Sequence, residues 1–476
     1  MMQIERIALR FHNTRNSAIV LARPSSSSHC VTYQTFQKLV ISAMPLPEMI
    51  SPCANVRRSC NLLMRDESDV ERKGPRSITL NDNKLDDLAE TIKHSIFNQK
   101  EDVSAVRETK KDYFETMEFS AWDSESWHYT GCSYSRPGLS KEQESWQRNE
   151  RVALYIMVLD CINFCFWPDN DMGTNSKRNL LEYEHLAEAL KRLAEQDDIV
   201  DGTSTTFSDD PTSTDKAEAP CSERTYAFSP VNLMTLTKEV FLEMVTKNLP
   251  TVCTDNASTY VIPNAEERSR LLVEMASGLV LFHGGSATEF ISKAHRSADS
   301  LVNLIIQYFP GFRDTAIDGY GGRWVGFYKR AQIMVADLWA ALGDGKQRRS
   351  TSATDNYNTL DHCCFQDIEV ITTFADYRVP QLLRDLGVLD YSASLANKVD
   401  AGEVLTPFCA DELYIRAGTV VAVDELVKLV KLKLDDSILA DSCNAVTIDW
   451  YLWNIGEKMD RDGVLRQHHK VRTIYY

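Results

Sequence analysis

Apolar residues recur at three- and four-residue spacing along most of the patterned chain, and this period constrains the fold more than any other feature. The spacing places apolar side chains on one face of an α-helix, whereas a half-buried strand alternates every second residue. Strand-like pieces are confined to residues 258–262 and 471–475. The pattern predicts a mainly α domain, with helices over residues 266–283, 296–308, 323–342, 380–386, 423–434 and 445–456.

The patterned part of the chain begins near residue 81 and is interrupted by polar stretches. A first helical pattern covers residues 81–106, and residues 1–80 are interpreted as a disordered or targeting extension. The first 46 residues carry five Lys or Arg against one Glu, which fits either a mitochondrial transit peptide or plain disorder. We expect a domain over residues 81–476, with insertions near 197–222 and 343–361.

Composition narrows the class of protein. No apolar run is long enough to cross a bilayer, so a membrane protein is excluded. A formal net charge of -16 disfavours binding to a nucleic acid polymer, which needs clustered Lys and Arg, although a small anionic ligand needs only a local basic pocket. Twelve cysteines without a CxxC pair indicate reduced thiols and an intracellular, cytoplasmic location. Neither a metal nor another cofactor is expected, because known cofactor motifs are absent and the adjacent Cys363 and Cys364 rarely share one ion.

Lys329 stands out in the predicted helix over residues 323–342. Successive side chains on a helix are about 100° apart, so Arg330 and Asp337 are expected together on the outer face. Lys329 projects elsewhere, above Ile333 and small alanines. It can extend its ammonium group to solvent from the edge of the core, or it can face a cavity that the alanines leave open.

Asp376 precedes another predicted helix, in ITTFADYRVPQLLRDLG. Pro380 suits the first turn of that helix and Gly387 its C-terminal cap, so the carboxylate lies near the positive end of the helix. Electrostatic or capping support of the helix is one interpretation. A pocket for a planar ligand is the other, because the aromatic residues Phe374 and Tyr377 flank the charge.

Two further segments combine carboxyl groups with aromatic rings. Asp449, Trp450 and Asn454 lie close together if VTIDWYLWNIGEK is helical. Such rings can hold a flat heterocycle while the carboxylate accepts from two N–H donors at its edge. Core packing is the alternative, as it is for LDCINFCFWPDND, which contains Asp160 and Asn163.

The C-terminus, RQHHKVRTIYY, is the densest basic cluster of an acidic chain. Its cationic side chains can bind a phosphate monoester. A solvated tail is the alternative, although the apolar ending favours a docked segment.

Five motifs occur in the order that they have in one known family. They are INFCFW (162–167), FYKRAQI (327–333), FADYRVPQ (374–381), IDWYLW (448–453) and VRTIYY (471–476). Together they resemble the queuosine salvage family, the queuosine 5'-phosphate N-glycosylase/hydrolases. The resemblance covers roughly residues 80 to 476 and excludes the polar insertions.

The resemblance implies a small-molecule substrate, queuosine 5'-monophosphate. Hydrolysis of its N-glycosidic bond releases queuine, a 7-deazaguanine base, and ribose 5-phosphate. The implied fold is helical and similar to the helix-hairpin-helix DNA glycosylases. The implied residues are the catalytic carboxylate Asp376, its partner Lys329, and the base-contacting Phe374, Asp449 and Trp450.

Three other parts of the implied site depart from the family or rest on chemistry alone. Asn454 stands where Asp is expected in relatives. His128, in ESWHYTG, is the candidate for the family's N-terminal active-site histidine. We assign the substrate phosphate to the C-terminal cluster, especially His469 and Arg472.

The implied reaction explains why a carboxylate is needed. Breaking the bond at the anomeric carbon builds positive charge on the sugar, which an ionised carboxylate stabilises. A 7-deaza base has carbon at position 7, so protonation there cannot assist its departure and more of the barrier falls to the carboxylate. Two alternatives remain: a repair glycosylase acting on DNA, which the net charge opposes, and a non-catalytic carrier of queuine or a nucleotide.

Overall fold

The fold is known from a computed structural model of the chain. It describes residues 19–21, 29–31, 51–65, 76–97, 110–117, 119, 122, 127–131, 134–135, 138–167, 181–203, 226–249, 261–318, 322–344, 360–434 and 437–476. Within these ranges, every helix is too short or too polar to span a bilayer.

The described residues are mainly helical, as predicted. The helices are α1 Pro52–Arg65, α2 Asp82–Phe97, α3 Lys110–Thr116, α4 Lys141–Cys161, α5 Tyr183–Thr203, α6 Pro230–Leu233, α7 Lys238–Asn248, α8 Ala265–His283, α9 Ala287–Ser292, α10 Ala298–Tyr308, α11 Lys329–Leu342, α12 Arg378–Asp385, α13 Ala393–Asp400, α14 Ala410–Lys433, α15 Ser437–Ser442 and α16 Ala445–Arg461. Short strands form two-stranded pairs: β1 Ile19–Leu21 with β2 His29–Val31, β3 Ile78–Leu80 with β6 Leu389–Tyr391, β4 Thr315–Ile317 with β5 Trp324–Gly326, and β7 Val404–Leu405 with β8 Lys470–Val471.

The long helix α14 forms the centre of one part of the core, where α1, α2, β3 and α16 contact it. Residues 412–423 are all buried, so this part of the helix has no solvent-exposed face. That is why apolar periodicity predicted a helix only over residues 423–434. Helix α4 escaped prediction for the same reason, because residues 151–161 are all buried.

Helix α1 belongs to the folded domain, so the prediction that all of residues 1–80 lie outside it does not hold. Its buried face includes Cys53, Val56, Cys60 and Leu63. Strand β3 also lies in this region and pairs antiparallel with β6. The face was missed because two of these four residues are cysteines and arginines lie between them. The transit-peptide interpretation concerns residues outside the described ranges, apart from β1 and β2.

The helices predicted over residues 266–283, 296–308, 380–386 and 445–456 are confirmed as α8, α10, α12 and α16. The helix predicted from residue 323 begins only at Lys329, because residues 324–326 pair with β4 instead. Tyr328 then turns the chain into α11 with a left-handed backbone, at φ 49°. A side chain seldom adopts this conformation, so the start of α11 is a strained position.

The predicted insertions lie mostly outside the described residues, which exclude 204–225 and 345–359. The first of them starts later than predicted, since α5 continues to Thr203. Asp198, within that helix, is buried and pairs with Arg151 at 3.0 Å. Of the two strand-like pieces, residues 258–260 lie outside the described residues. Near the C-terminus the strand that forms is β8, which pairs parallel with β7.

Candidate active site

A cavity opens between α11, α16 and the segment that leads into α12. Its empty volume, including the part open to solvent, is about 690 Å³. Eight side chains predicted for the site line the cavity: His128, Lys329, Phe374, Asp376, Tyr377, Asp449, Trp450 and Asn454.

Asp376 is held by the helix that follows it. Its Oδ1 accepts hydrogen bonds from the backbone N–H groups of Arg378 at 2.9 Å and Val379 at 3.3 Å. Burial raises the pKa of Asp376, whereas the charge of Lys329 and the two N–H groups lower it. Within the described residues Oδ2 accepts no hydrogen bond. The capping interpretation of Asp376 therefore applies, because Oδ1 accepts from the first turn of α12, and the ligand-pocket interpretation stays a prediction.

Lys329 is the first residue of α11 and is only 4% exposed, so its solvent-facing interpretation does not apply. Its Nζ donates to the backbone carbonyl of Asn163 at 3.3 Å. Burial lowers the pKa of Lys329, and the charges of Asp376 and Asp160 raise it. An ammonium group has three donors, and this hydrogen bond uses one. The remaining donors can serve a substrate or a water molecule in the cavity.

The prediction that Arg330 and Asp337 lie on an outer face is wrong. They are 1% and 2% exposed, because α4 and α10 pack against α11. Arg330 donates to the carbonyl groups of Cys161 and Gly311. Asp337 accepts from Nε1 of Trp122 at 2.9 Å. Helical periodicity identifies residues that share a face, but it cannot tell whether a polar face is covered by another helix.

Asp449 reaches the cavity from α16. Its Oδ2 accepts from the hydroxyl group of Thr373 and from the backbone N–H of Phe374, the latter at 3.1 Å. Burial and the nearby charge of Asp376 raise the pKa of Asp449 to about 8. These hydrogen bonds tie α16 to the segment that carries Asp376. Across the described residues, no group of three His, Cys, Asp or Glu side chains is arranged to hold a metal ion.

A buried ion pair joins the two segments that carry Lys329 and Asp376. Arg416 donates to the carboxylate of Asp314 from two nitrogens, at 2.9 and 2.5 Å. It also donates to the carbonyl of Ala375 at 3.0 Å. Asp314 in turn accepts from the backbone N–H of Lys329 at 3.2 Å. Arg416 thus fixes the residue before Asp376 directly and the start of α11 through Asp314.

Aromatic rings form the sides of the cavity. Trp450 lies nearly parallel to Trp339, at 15° and with ring centroids 6.2 Å apart. His128 stacks on Trp122 at 4.2 Å and 8°. Trp453 also lines the cavity. Flat rings around buried carboxyl groups suit a planar heterocycle that carries N–H donors.

The C-terminal segment is docked, but its predicted phosphate ligands do not line the cavity. His469 is buried, and burial lowers its pKa to about 3, so its ring is uncharged at neutral pH. Its Nε2 lies 3.5 Å from the hydroxyl oxygen of Tyr476. Arg472 is half-buried; burial raises the pKa of the Cys165 thiol, and the charge of Arg472 partly opposes that rise. Tyr476 is the member of this segment that lines the cavity, beside Phe164.

Sequence reasoning missed several side chains of the cavity. Trp122 and Trp127 stand in a polar stretch without periodicity, so no signal separated them from surface residues. Tyr183 opens a helix that was not predicted. Asp337 was missed because helical spacing places it about 80° around α11 from Lys329, so the sequence did not assign both to one cavity.

Comparisons with known proteins identify the family. The model of the queuosine salvage protein family matches residues 143–219 and 231–476. A queuosine 5'-phosphate N-glycosylase/hydrolase of Dictyostelium discoideum is 36% identical over 334 residues, which cover 69% of this chain and 79% of the relative. A protein of the same name from Sphaerobacter thermophilus is 31% identical over 71% of this chain and 86% of its own length. Another from Schizosaccharomyces pombe is 30% identical over 68% of this chain and 82% of its own length. The chain therefore belongs to the queuosine salvage protein family.

Proposed function

We propose that this protein hydrolyses the N-glycosidic bond of queuosine 5'-monophosphate and releases queuine for reuse in tRNA. One observation carries the proposal: Asp376, Lys329 and Asp449 meet in a single buried cavity with aromatic sides. The names of the relatives describe this reaction.

Asp376 acts on the anomeric carbon, C1', of the ribose. As the C1'–N9 bond breaks, its electron pair leaves with the base and positive charge develops on the sugar. The ionised carboxylate stabilises that charge inside the cavity, where electrostatic interactions are stronger than in bulk water. The oxygen of a water molecule then bonds to C1', and a proton from that water ends on the base. Lys329 keeps Asp376 ionised, because its positive charge opposes the rise in pKa that burial causes.

Asp449 binds the base edge. In its ionised form, the Asp449 carboxylate accepts from N1–H and the 2-amino group of the 7-deazaguanine, which are adjacent donors. Phe374 and Trp450 cover the faces of the ring. Tyr377, Asn454 and His128 also line the cavity and orient the substrate without taking part in bond cleavage.

The phosphate group extends from the sugar toward the C-terminal segment. We assign it to Arg472, since His469 is uncharged and supplies no attraction. In Arg472→Gln, the KM for the monophosphate should rise while that for the nucleoside queuosine stays the same. Arg466→Gln is the matched control, because Arg466 lies in the same segment and pairs instead with Asp385 at 3.3 Å. An equal effect of both variants would contradict the assignment to Arg472.

We also infer that the helices adopt an arrangement related to that of the helix-hairpin-helix DNA glycosylases. In support, the described residues are mainly helical, and the proposed catalytic carboxylate lies at a helix N-terminus beside the cavity. Superposition of an experimental structure on such a glycosylase would test this.

The decisive experiment compares substrates. Purified protein is incubated with queuosine 5'-monophosphate, queuosine or damaged duplex DNA, and free base is measured by mass spectrometry. We expect release chiefly from the monophosphate. In Asp376→Asn release should fall by about 10²–10³-fold, as when one charge-stabilising group is lost. Release from DNA instead would favour a repair glycosylase, and binding of queuine without release from any substrate would favour a carrier.

A further inference from the structure

The cavity contains a carboxyl group that the proposed reaction does not use. Asp337 lines the cavity from α11, together with Lys329 and Ile333. These residues are four apart, so they lie along one side of the helix. Eight residues of helix span about 12 Å, which separates Asp337 from the start of α11 by more than the length of a purine ring.

The Asp337 carboxyl group is positioned without being paired to a cation. Its Oδ1 accepts from Nε1 of Trp122 at 2.9 Å, and among the described residues no Lys, Arg or His forms an ion pair with it within 4.0 Å. Burial raises the pKa of Asp337 to about 7. Its neighbour Asp160 is fully buried, and both carboxyl oxygens of Asp160 lack a hydrogen-bond partner. The charge of Lys329 acts on both carboxyl groups, but within the described residues it forms no ion pair with either, so a positively charged ligand group would be stabilised beside them.

Aromatic rings of the cavity suit the same kind of group. Trp122 and His128, stacked on each other, both line the cavity, as do Trp127 and Tyr183. The faces of aromatic rings attract cations within about 6 Å. The cavity therefore combines one carboxyl group, oriented by Trp122, with several aromatic rings.

Queuosine differs from guanosine by a substituent with this chemistry. Its C7 carries an aminomethyl group joined to a cyclopentene diol, and the secondary amine is protonated at neutral pH. The proposed function places the N1 edge of the base on Asp449 and the N9 side over Asp376. The C7 substituent leaves the base at a third corner, away from both.

We propose that Asp337, oriented by Trp122, is the specificity-determining residue that binds the positively charged amine on C7. The inference rests on the proposed function for the orientation of the base. It explains why α11 places a carboxyl group in the cavity at a distance from the reacting bond. Asp337 contacts the substrate here but takes no part in bond cleavage.

Binding of free base tests this without turnover. Calorimetry compares queuine, its N-methyl derivative, which keeps the charge, and its N-acetyl derivative, which loses it. We expect N-acetylqueuine to bind at least about tenfold more weakly than N-methylqueuine, because a site that pairs with a polar group rejects the analogue that lacks it. Equal affinities for the two derivatives would overturn the proposal.

The variant Asp337→Asn keeps an oxygen that can accept from Trp122 but removes the charge. In this variant the preference for queuine over unsubstituted 7-deazaguanine should fall at least about tenfold. Asp344→Asn is the matched control, since Asp344 accepts from Nε1 of Trp339 at 2.8 Å and does not line the cavity. A purely structural role of Asp337 would weaken both bases equally, and this result would contradict the proposal. Release of base from queuosine 5'-monophosphate is measured separately, so a failure of the proposed function can be distinguished from a failure of the role proposed for Asp337.

Discussion

Lys329→Met tests whether the lysine keeps Asp376 ionised. Methionine has a similar length and lacks the charge, so it fills the buried site without a polar group. In the native protein, the charge of Lys329 is the first of the influences that lower the pKa of Asp376. Without that charge, less opposes the rise in pKa that burial causes. The pKa of Asp376 therefore increases, and a smaller fraction of the carboxyl group is ionised at neutral pH.

The size of the effect follows from the separation of the two charges. Lys329 Nζ and the Asp376 carboxylate are not within 4.0 Å of each other. With an effective dielectric constant of about 20, opposite charges attract by about 4 kcal/mol at 4 Å and about 2.4 kcal/mol at 7 Å. A factor of ten corresponds to about 1.4 kcal/mol, so kcat/KM on the acidic side of the profile should fall by between about 50-fold and 1,000-fold.

The assay is kcat/KM for queuosine 5'-monophosphate as a function of pH. The acidic limb of Lys329→Met should move to higher pH, and much of the lost activity should return in alkaline buffer as Asp376 ionises. Lys329→Arg retains the charge, so its acidic limb should stay in place even if the larger side chain lowers the rate. If Lys329→Met is impaired by the same factor at every pH, the electrostatic role of the lysine is refuted.

Two further predictions concern the surroundings of the site. Arg416→Met leaves Asp314 as an unpaired buried charge and should lower the free energy of unfolding, measured with denaturant, by about 3–5 kcal/mol. Arg384→Met is the control and should lower it by no more than about 1 kcal/mol, because its partner Asp400 is half-exposed. Equal losses in the two variants would contradict the prediction. In the folded protein the pKa of Asp449 is raised to about 8, above its value in the unfolded chain. Protonated Asp449 therefore contributes to the free energy of unfolding in full below the unfolded pKa, and this contribution is lost as pH rises through about 8. The thermal midpoint of Asp449→Asn should therefore fall less than that of the native protein between mildly acidic pH and pH 8, and an identical decline would refute this.

The parts of the site that could be predicted are those recorded in local sequence. Asp376 and Pro380 identified the helix start, and α12 begins within two residues of the predicted boundary. The grouping of Asp449 with Trp450 followed from helical spacing. The motifs that resemble one family named most side chains of the cavity before any contact was known.

Other parts depended on contacts between distant segments. Arg416 looks like one more polar residue in a helical stretch, yet it links residues 314 and 375, about 60 positions apart in the chain. His469 is basic in sequence but uncharged once buried. Helix α1 was missed because cysteines and interspersed arginines obscure its apolar face, which only its packing against α14 identifies.

The sequence by itself determined that the protein is mainly helical, which family it resembles, and that a carboxylate precedes a helix with proline in its first turn. Periodicity, capping and motif order are local properties, so they can be recognised without the tertiary structure. Only the tertiary structure decided which charges are buried and which face one another. The dielectric surroundings of Lys329, Asp337 and Asp449, and hence their protonation, come from helices that are far apart in the chain and pack together in the fold.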